Sequence, residues 1–272
     1  MRLISICPSN TELLAYLNLT DQLIGLDDFS DWPASIQHLP KLGPDLSIRM
    51  DELEALKPDL VLASLSVPGM EKNIAQLIER NIPHLVLDPQ SLEDIAEDML
   101  TVGKACGIRE QAEVVVEEYR EFITELRAKA TSVTNLPELY FEWWPKPIFT
   151  PGRINWLTEI SEICGGRNIF RDVELASIQT DWSDVLERNP DYFFLAWVGV
   201  QQAKVNTKVI EKRTGFHHLT DVQKGNLHIL EEELFCRPSP RLLEGALKLA
   251  NIIHPTVYGD LKLPNWVTAS NE

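Results

Sequence analysis

Two stretches of this chain of 272 residues repeat one plan and restrict the fold more than any other feature. "DELEALKPDLVLA" (51–63) and "SDVLERNPDYFFLA" (183–196) each read as a short helix, an X-Pro-Asp step and a continuous apolar run. Asp59 and Asp191 stand 191 − 59 = 132 residues apart. Apolar runs of this length without alternation predict strands buried on both faces, as in a parallel sheet covered by helices. Strand and helix patterns alternate around both copies. In the first half, strands are expected at 2–7, 23–27, 59–64 and 84–88, with helices at 11–17, 50–57 and 70–81. In the second half, strands are expected at 138–144, 191–198 and 226–230, with helices at 154–166, 181–189, 203–213 and 240–254. The fold class is α/β, as two Rossmann-like lobes.

Between the halves, "SLEDIAEDMLTVGKACG" (91–107) and "REQAEVVVEEYREFITELRAKA" (109–130) read as helix throughout. The second piece lacks Gly and Pro and would run ~33 Å, so it predicts a single long helix joining the lobes. The expected organisation is an N-terminal lobe over 1–106, the connecting helix over 107–134, a C-terminal lobe over 135–254 and a loose tail over 255–272. Two capping boxes are expected, Ser91 with Asp94 and Ser9 with Glu12, the latter starting a helix near Asn10.

A formal charge of −16 and a pI near 4.8 argue against nucleic acid and anionic membrane as partners, because phosphate binding rests on clustered Lys and Arg. No run approaches the ~20 apolar residues of a membrane span. "MRLISICPSN" lacks the features of an export signal, which reads as cytoplasmic for the sequence as written and as extracytoplasmic if a leader precedes it. The four cysteines and six histidines show no metal-ligand spacing, so no metal site is expected. Neither a nucleophile elbow nor a phosphate loop is present, and "EEE" (231–233) reads as a solvated run, so no catalytic residue is assigned and the expected function is not enzymatic. A monomer is expected.

Ligands in open α/β sheets sit outside the carboxyl ends of the strands, and two such lobes place a ligand cleft between them. The post-strand loops here carry Trp32, Trp143, Trp144, Phe149, Trp197 and Phe235. Alternation along 138–144 puts Trp143 and Trp144 on opposite faces, one toward the core and one toward the cleft. Trp143, Trp156 and Trp182 taken singly read as packing residues. Flat rings without a basic cluster suit a bulky ligand with apolar faces and an uncharged polar fringe.

The stretches "ISICPSNTELLAYLNLTDQLIGLDDFSDWP", "LEALKPDLVLA", "FEWWPKPIFTPG" and "ICGGRNIF" resemble the class III substrate-binding proteins of ABC importers, nearest the cobalamin-binding branch. The resemblance covers residues 2 to about 254 and implies two α/β lobes on one long helix, with a corrinoid in the cleft and a membrane permease as partner. By position it implies that Trp32 packs on the corrin ring, that Phe149 supplies a ring from the second lobe, and that Glu233, with Phe235 beside it, faces the ligand. Ser9 and Asn10 would point toward the ligand's side-chain amides. The family's docking acids map to Glu71 and to Ser183, with Asp184 next to it. A family tryptophan is replaced near Ser177 and an aromatic is absent near Asp45, leaving Trp144 and Trp197 to rebuild the pocket. Haem or a ferric siderophore on the same fold is the alternative ligand, and a cytosolic corrinoid-handling protein or enzyme derived from the fold is the alternative class.

Overall fold

The computed structural model describes residues 1–218 and 225–264. The chain forms two compact units, Met1–Glu121 with Pro238–Pro240, and Phe122–Arg237 with Arg241–Leu263. The first contains β1 (Leu3–Ser5), α1 (Pro8–Tyr16), β2 (Leu23–Leu26), α2 (Met50–Ala55), β3 (Leu60–Ser64), α3 (Glu71–Glu79), β4 (His84–Leu87) and α4 (Leu92–Ala105). α5 (Arg109–Ala130) is the long helix read from the sequence, and the division between units falls inside it. All pairings in the first sheet are parallel, in the order β2-β1-β3-β4. β3 is buried along its whole length, as its unbroken "LVLAS" predicts. One core joins Ile4, Val61 and Ala63 of the strands to Leu53 of α2 and Leu77 of α3.

The second unit continues with β5 (Glu138–Glu142), β6 (Trp144–Pro145), β7 (Ile148–Pro151), α6 (Trp156–Ile163), β8 (Arg167–Asn168), β9 (Ser177–Thr180), α7 (Trp182–Arg188) and β10 (Tyr192–Leu195). It closes with α8 (Lys208–Glu211), β11 (Leu227–Ile229), α9 (Glu232–Phe235), α10 (Leu242–Ile253) and α11 (Pro255–Tyr258). Its main sheet is parallel, in the order β11-β10-β5-β8. The internal echo of the sequence is a structural equivalence. Asp59 accepts the Arg2 N–H at 2.7 Å and returns its own N–H to the Arg2 carbonyl. Asp191 does the same with Glu138, at 2.7 and 2.8 Å. Each aspartate thus clamps the entry of its strand to the neighbouring strand. Two residues earlier, Lys57 and Asn189 both end their helix in the left-handed region, at φ 49°.

Several local expectations are corrected. α1 begins at Pro8, whose fixed φ suits a first helical position, with Cys7 at the cap. The Ser9 capping box does not form, because the Ser9 hydroxyl pairs with Cys7 Sγ at 3.2 Å and the Glu12 carboxylate accepts Ser239 Oγ at 2.5 Å. The Ser91 box does form, since Ser91 Oγ accepts the Asp94 N–H and Asp94 accepts the Ser91 N–H, both at 3.0 Å. Ser91→Ala is expected to cost about 1 kcal/mol of unfolding free energy, measured by denaturant titration. The stretch 203–213 is not one helix. Val205 is extended, and the Asn206 side chain takes the Lys208 N–H at 3.1 Å, competing with a helical start upstream. The expected strand 138–144 stops at Glu142, and β6, β7 and β9 form a separate antiparallel sheet. Residues 255–260 of the tail are held to the second unit. Tyr258 is buried and donates to the Ile163 carbonyl at 2.9 Å, while Lys129 holds Asp260. Residues 265–272, the rest of the expected tail, lie outside the described residues.

Candidate ligand-binding surfaces

In the first unit the carboxyl ends of the parallel strands open into loops after Ser5, Leu26, Ser64 and Leu87. Ser9 and Asn10 lie just past β1, but both are 3% exposed. Asn10 Nδ2 donates to the Ala63 carbonyl at 3.0 Å, tying α1 to β3. These two residues therefore fix the scaffold beneath the loops, which corrects the expectation that they reach ligand amides. Trp32 is half-buried, its ring tilted against Tyr16 of α1 with centroids 5.6 Å apart. The loops of the same unit also expose apolar side chains that the sequence reading passed over. Phe29 is exposed after β2, Leu65 after β3, and Leu46 packs over Gly69 of the post-β3 loop. The signal available was a single apolar residue set among turn-forming residues after a strand, which is weaker than a tryptophan.

The Trp32 loop is anchored by Asp27, which is fully buried. Its carboxylate accepts the Phe29 N–H at 2.7 Å, the Ser30 N–H at 3.0 Å and the Ser30 hydroxyl. Ser30 in turn contacts Thr11 Oγ1 at 2.7 Å, joining the loop to α1. Burial raises the Asp27 pKa to about 6, beyond what the hydrogen bonds from Ser30 and Phe29 take back, with Asp45 adding to the rise. A carboxyl held above its unfolded value favours folding while protonated, and that contribution is lost as pH rises through about 6. From 3.8 to about 6 this amounts to about 3 kcal/mol. Asp27→Asn keeps the acceptor for the two N–H groups, so the stability difference between about pH 4 and about pH 7.5 is expected to shift by about 2–3 kcal/mol in the variant's favour at the higher pH. Denaturant titration of both proteins at both pH values checks this, and parallel profiles would refute it.

In the second unit the end of β5 carries a buried polar cluster. Glu142, 0% exposed, receives Arg213 through two bonds of 2.6 and 3.1 Å. It also accepts the Tyr140 hydroxyl at 2.7 Å and the Trp197 indole N–H at 3.3 Å. Arg213 reaches the Pro145 carbonyl of β6 at 3.3 Å and lies 5.0 Å over the Trp182 ring. Trp197 is thereby held in a core with Leu195, Val205, Ile210 and Phe216. Phe235 is likewise fully buried, its carbonyl accepting the Trp156 indole N–H at 2.9 Å. Both rings are packing residues, contrary to their expected place against a ligand. Glu233 is half-buried on α9, beside a Glu232–Arg237 ion pair of 3.1 Å.

Trp144 and Phe149 are brought together. The small sheet β6-β7-β9 turns Ile148, Thr150 and Ile178 inward, onto Tyr140, Phe170 and Phe193 in part. Its other face carries Trp144, opposite Phe149, which is opposite Gln179. Trp144 is 43% exposed, with its indole N–H given to the Lys146 carbonyl at 3.1 Å. Ser177 is exposed on the same face. The neighbouring Trp143 packs on Trp156 at 6.0 Å, so one adjacent tryptophan faces the interior and the other solvent. Trp182 packs among Phe193 and Phe216. At the docking positions, Glu71 is exposed at the start of α3 and accepts the Gly69 N–H at 2.7 Å. Asp184 is engaged by Arg188 at 2.9 Å and Thr180 at 2.8 Å, while Ser183 is exposed. Among the described residues no group of three or more His, Cys, Asp and Glu side chains is placed to hold a metal ion, and no helix is long and apolar enough to cross a membrane.

Known proteins are similar to this chain in sequence and in fold. The uncharacterized ABC transporter substrate-binding lipoprotein YvrC of Bacillus subtilis (strain 168) is 27% identical over 262 residues, covering 94% of this chain and 81% of that protein. The vitamin B12-binding protein of Yersinia pestis (strain Pestoides F) is 27% identical over 248 residues, covering 91% of this chain and 84% of its own length. The crystal structure of S. aureus IsdE complexed with heme superimposes with a TM-score of 0.82 at 17% identity, covering 93% of this chain and 98% of that one. A family model matches residues 3–234, the span that holds both parallel sheets, and the chain belongs to the periplasmic binding proteins.

Proposed function

We propose that the protein reversibly binds a cobalamin-like corrinoid as the substrate-binding component of an ABC uptake system, without a chemical step. The observation that carries this reading is the outer face of β6-β7-β9, where Trp144 and Phe149 present flat apolar surface beside the uncharged side chains of Gln179 and Ser177. A corrin macrocycle has extended apolar faces and a rim of neutral amides, the same combination. Trp32, backed by Tyr16, is the ring offered by the first unit. The vitamin B12-binding relative at 27% identity supports the choice of ligand, and the substrate-binding lipoprotein relative supports the uptake role and an extracytoplasmic location. Glu71 is the docking acid for a basic permease surface in the first unit. In the second, Asp184 would have to exchange its Arg188 partner to take that part.

Haem is the second reading, favoured by the fold shared with the haem-complexed IsdE. Equilibrium dialysis against cyanocobalamin, haemin and a ferric hydroxamate separates the readings. Retention of cyanocobalamin alone is expected, and retention of haemin with exclusion of cyanocobalamin would replace the corrinoid reading.

A further inference from the structure

We infer that Gln179 is the specificity-determining residue of the second unit's aromatic face, reading a neutral amide on the rim of the ligand. The inference rests on the corrinoid reading and adds to it a residue and a polarity. Three adjacent strands set Trp144, Phe149 and Gln179 in one register row, with Trp144 opposite Phe149 and Phe149 opposite Gln179. At the usual strand spacing of about 4.8 Å, the row runs about 10 Å from ring to carboxamide, the scale of a macrocycle lying on the two rings with its edge at Gln179.

Of the polar side chains of this face, Trp144 is already committed, while Gln179 and Ser177 are exposed. The Trp144 N–H is given to Lys146, and on the opposite face the Thr180 hydroxyl is given to Asp184. Gln179 is exposed, and its carboxamide has no hydrogen-bond partner among the described residues. A carboxamide offers both a donor and an acceptor, matching a primary amide through two bonds, whereas a carboxylate rim would call for a guanidinium or ammonium. The row itself contains no cation, and the nearest in sequence is Lys146, in the turn between β6 and β7. The face is therefore built for a neutral hydrogen-bonding rim.

The test titrates cyanocobalamin and haemin into the full chain and into Gln179→Leu, Gln179→Lys and Lys146→Ala. Gln179→Leu is expected to weaken cyanocobalamin about tenfold. Gln179→Lys should move the cyanocobalamin-to-haemin affinity ratio toward haemin, whose rim carries carboxylates, and Lys146→Ala should leave cyanocobalamin binding within about twofold. Being on the surface, Gln179 can be replaced without disturbing the fold, which circular dichroism checks. If the parent chain binds cyanocobalamin and Gln179→Leu stays within about twofold of it, the assignment of Gln179 is overturned while the corrinoid reading stands. If the parent chain fails to bind cyanocobalamin, both are overturned.

Discussion

Arg213→Met is expected to lower the unfolding free energy by about 3–5 kcal/mol, the range for removing one partner of a buried ion pair. The size follows from Glu142, whose carboxylate sits at the end of β5 with no exposure and would keep only the Tyr140 and Trp197 donors. Replacing both partners, as in Glu142→Gln with Arg213→Met, should recover a large part of the loss, because the cost lies in the charge left unpaired rather than in the absence of the pair. Guanidinium denaturation of the single and double variants measures this. A single-variant loss below about 1 kcal/mol would mean that the cluster is solvated. The pair also ties β5 and the stretch after α8 to two further segments, since Arg213 bonds Pro145 of β6 and Glu142 bonds Trp197. Ligand affinity should therefore fall in Arg213→Met even under conditions where the variant is fully folded.

The second large effect concerns the rings. Trp32→Ala and Phe149→Ala are each expected to weaken cyanocobalamin binding by about 1–3 kcal/mol, roughly 5- to 150-fold, with little change in unfolding free energy. Trp32 is only half-buried and Phe149 lies on the outer face of its small sheet, so neither truncation opens a core cavity. Trp197→Ala should behave in the opposite way, destabilising the second unit through its core cluster before it affects a ligand. Calorimetric titration of the three variants beside their denaturation curves separates binding from folding. Unchanged affinity in both Trp32→Ala and Phe149→Ala would show that the rings serve packing alone.

The parallel sheets were legible because unbroken apolar runs and the repeated X-Pro-Asp step are strong local signals, and Asp59 and Asp191 do the same work in each unit. The small antiparallel sheet was not. Pro145, Pro147 and Pro151 interrupt every alternation pattern there, and pairing with residues 177–180 is a contact no local window contains. The direction taken by a post-strand aromatic was equally hidden. Trp197 and Trp144 both follow strand runs, yet one is pulled inward by a carboxylate 55 positions away in sequence and the other is turned out by the pleat of a two-residue strand. Ser9 and Ser91 carried the same capping pattern, and only Ser91 uses it, because Pro8 already starts the first helix and Glu12 bonds a distant serine.

Calorimetric titration of the intact chain with cyanocobalamin tests the corrinoid reading most directly. Saturable heat with one ligand per chain, accompanied by a change in the corrin absorption bands, is the predicted result. Flat heats and an unchanged spectrum at high micromolar ligand, from protein shown to be folded, would contradict it.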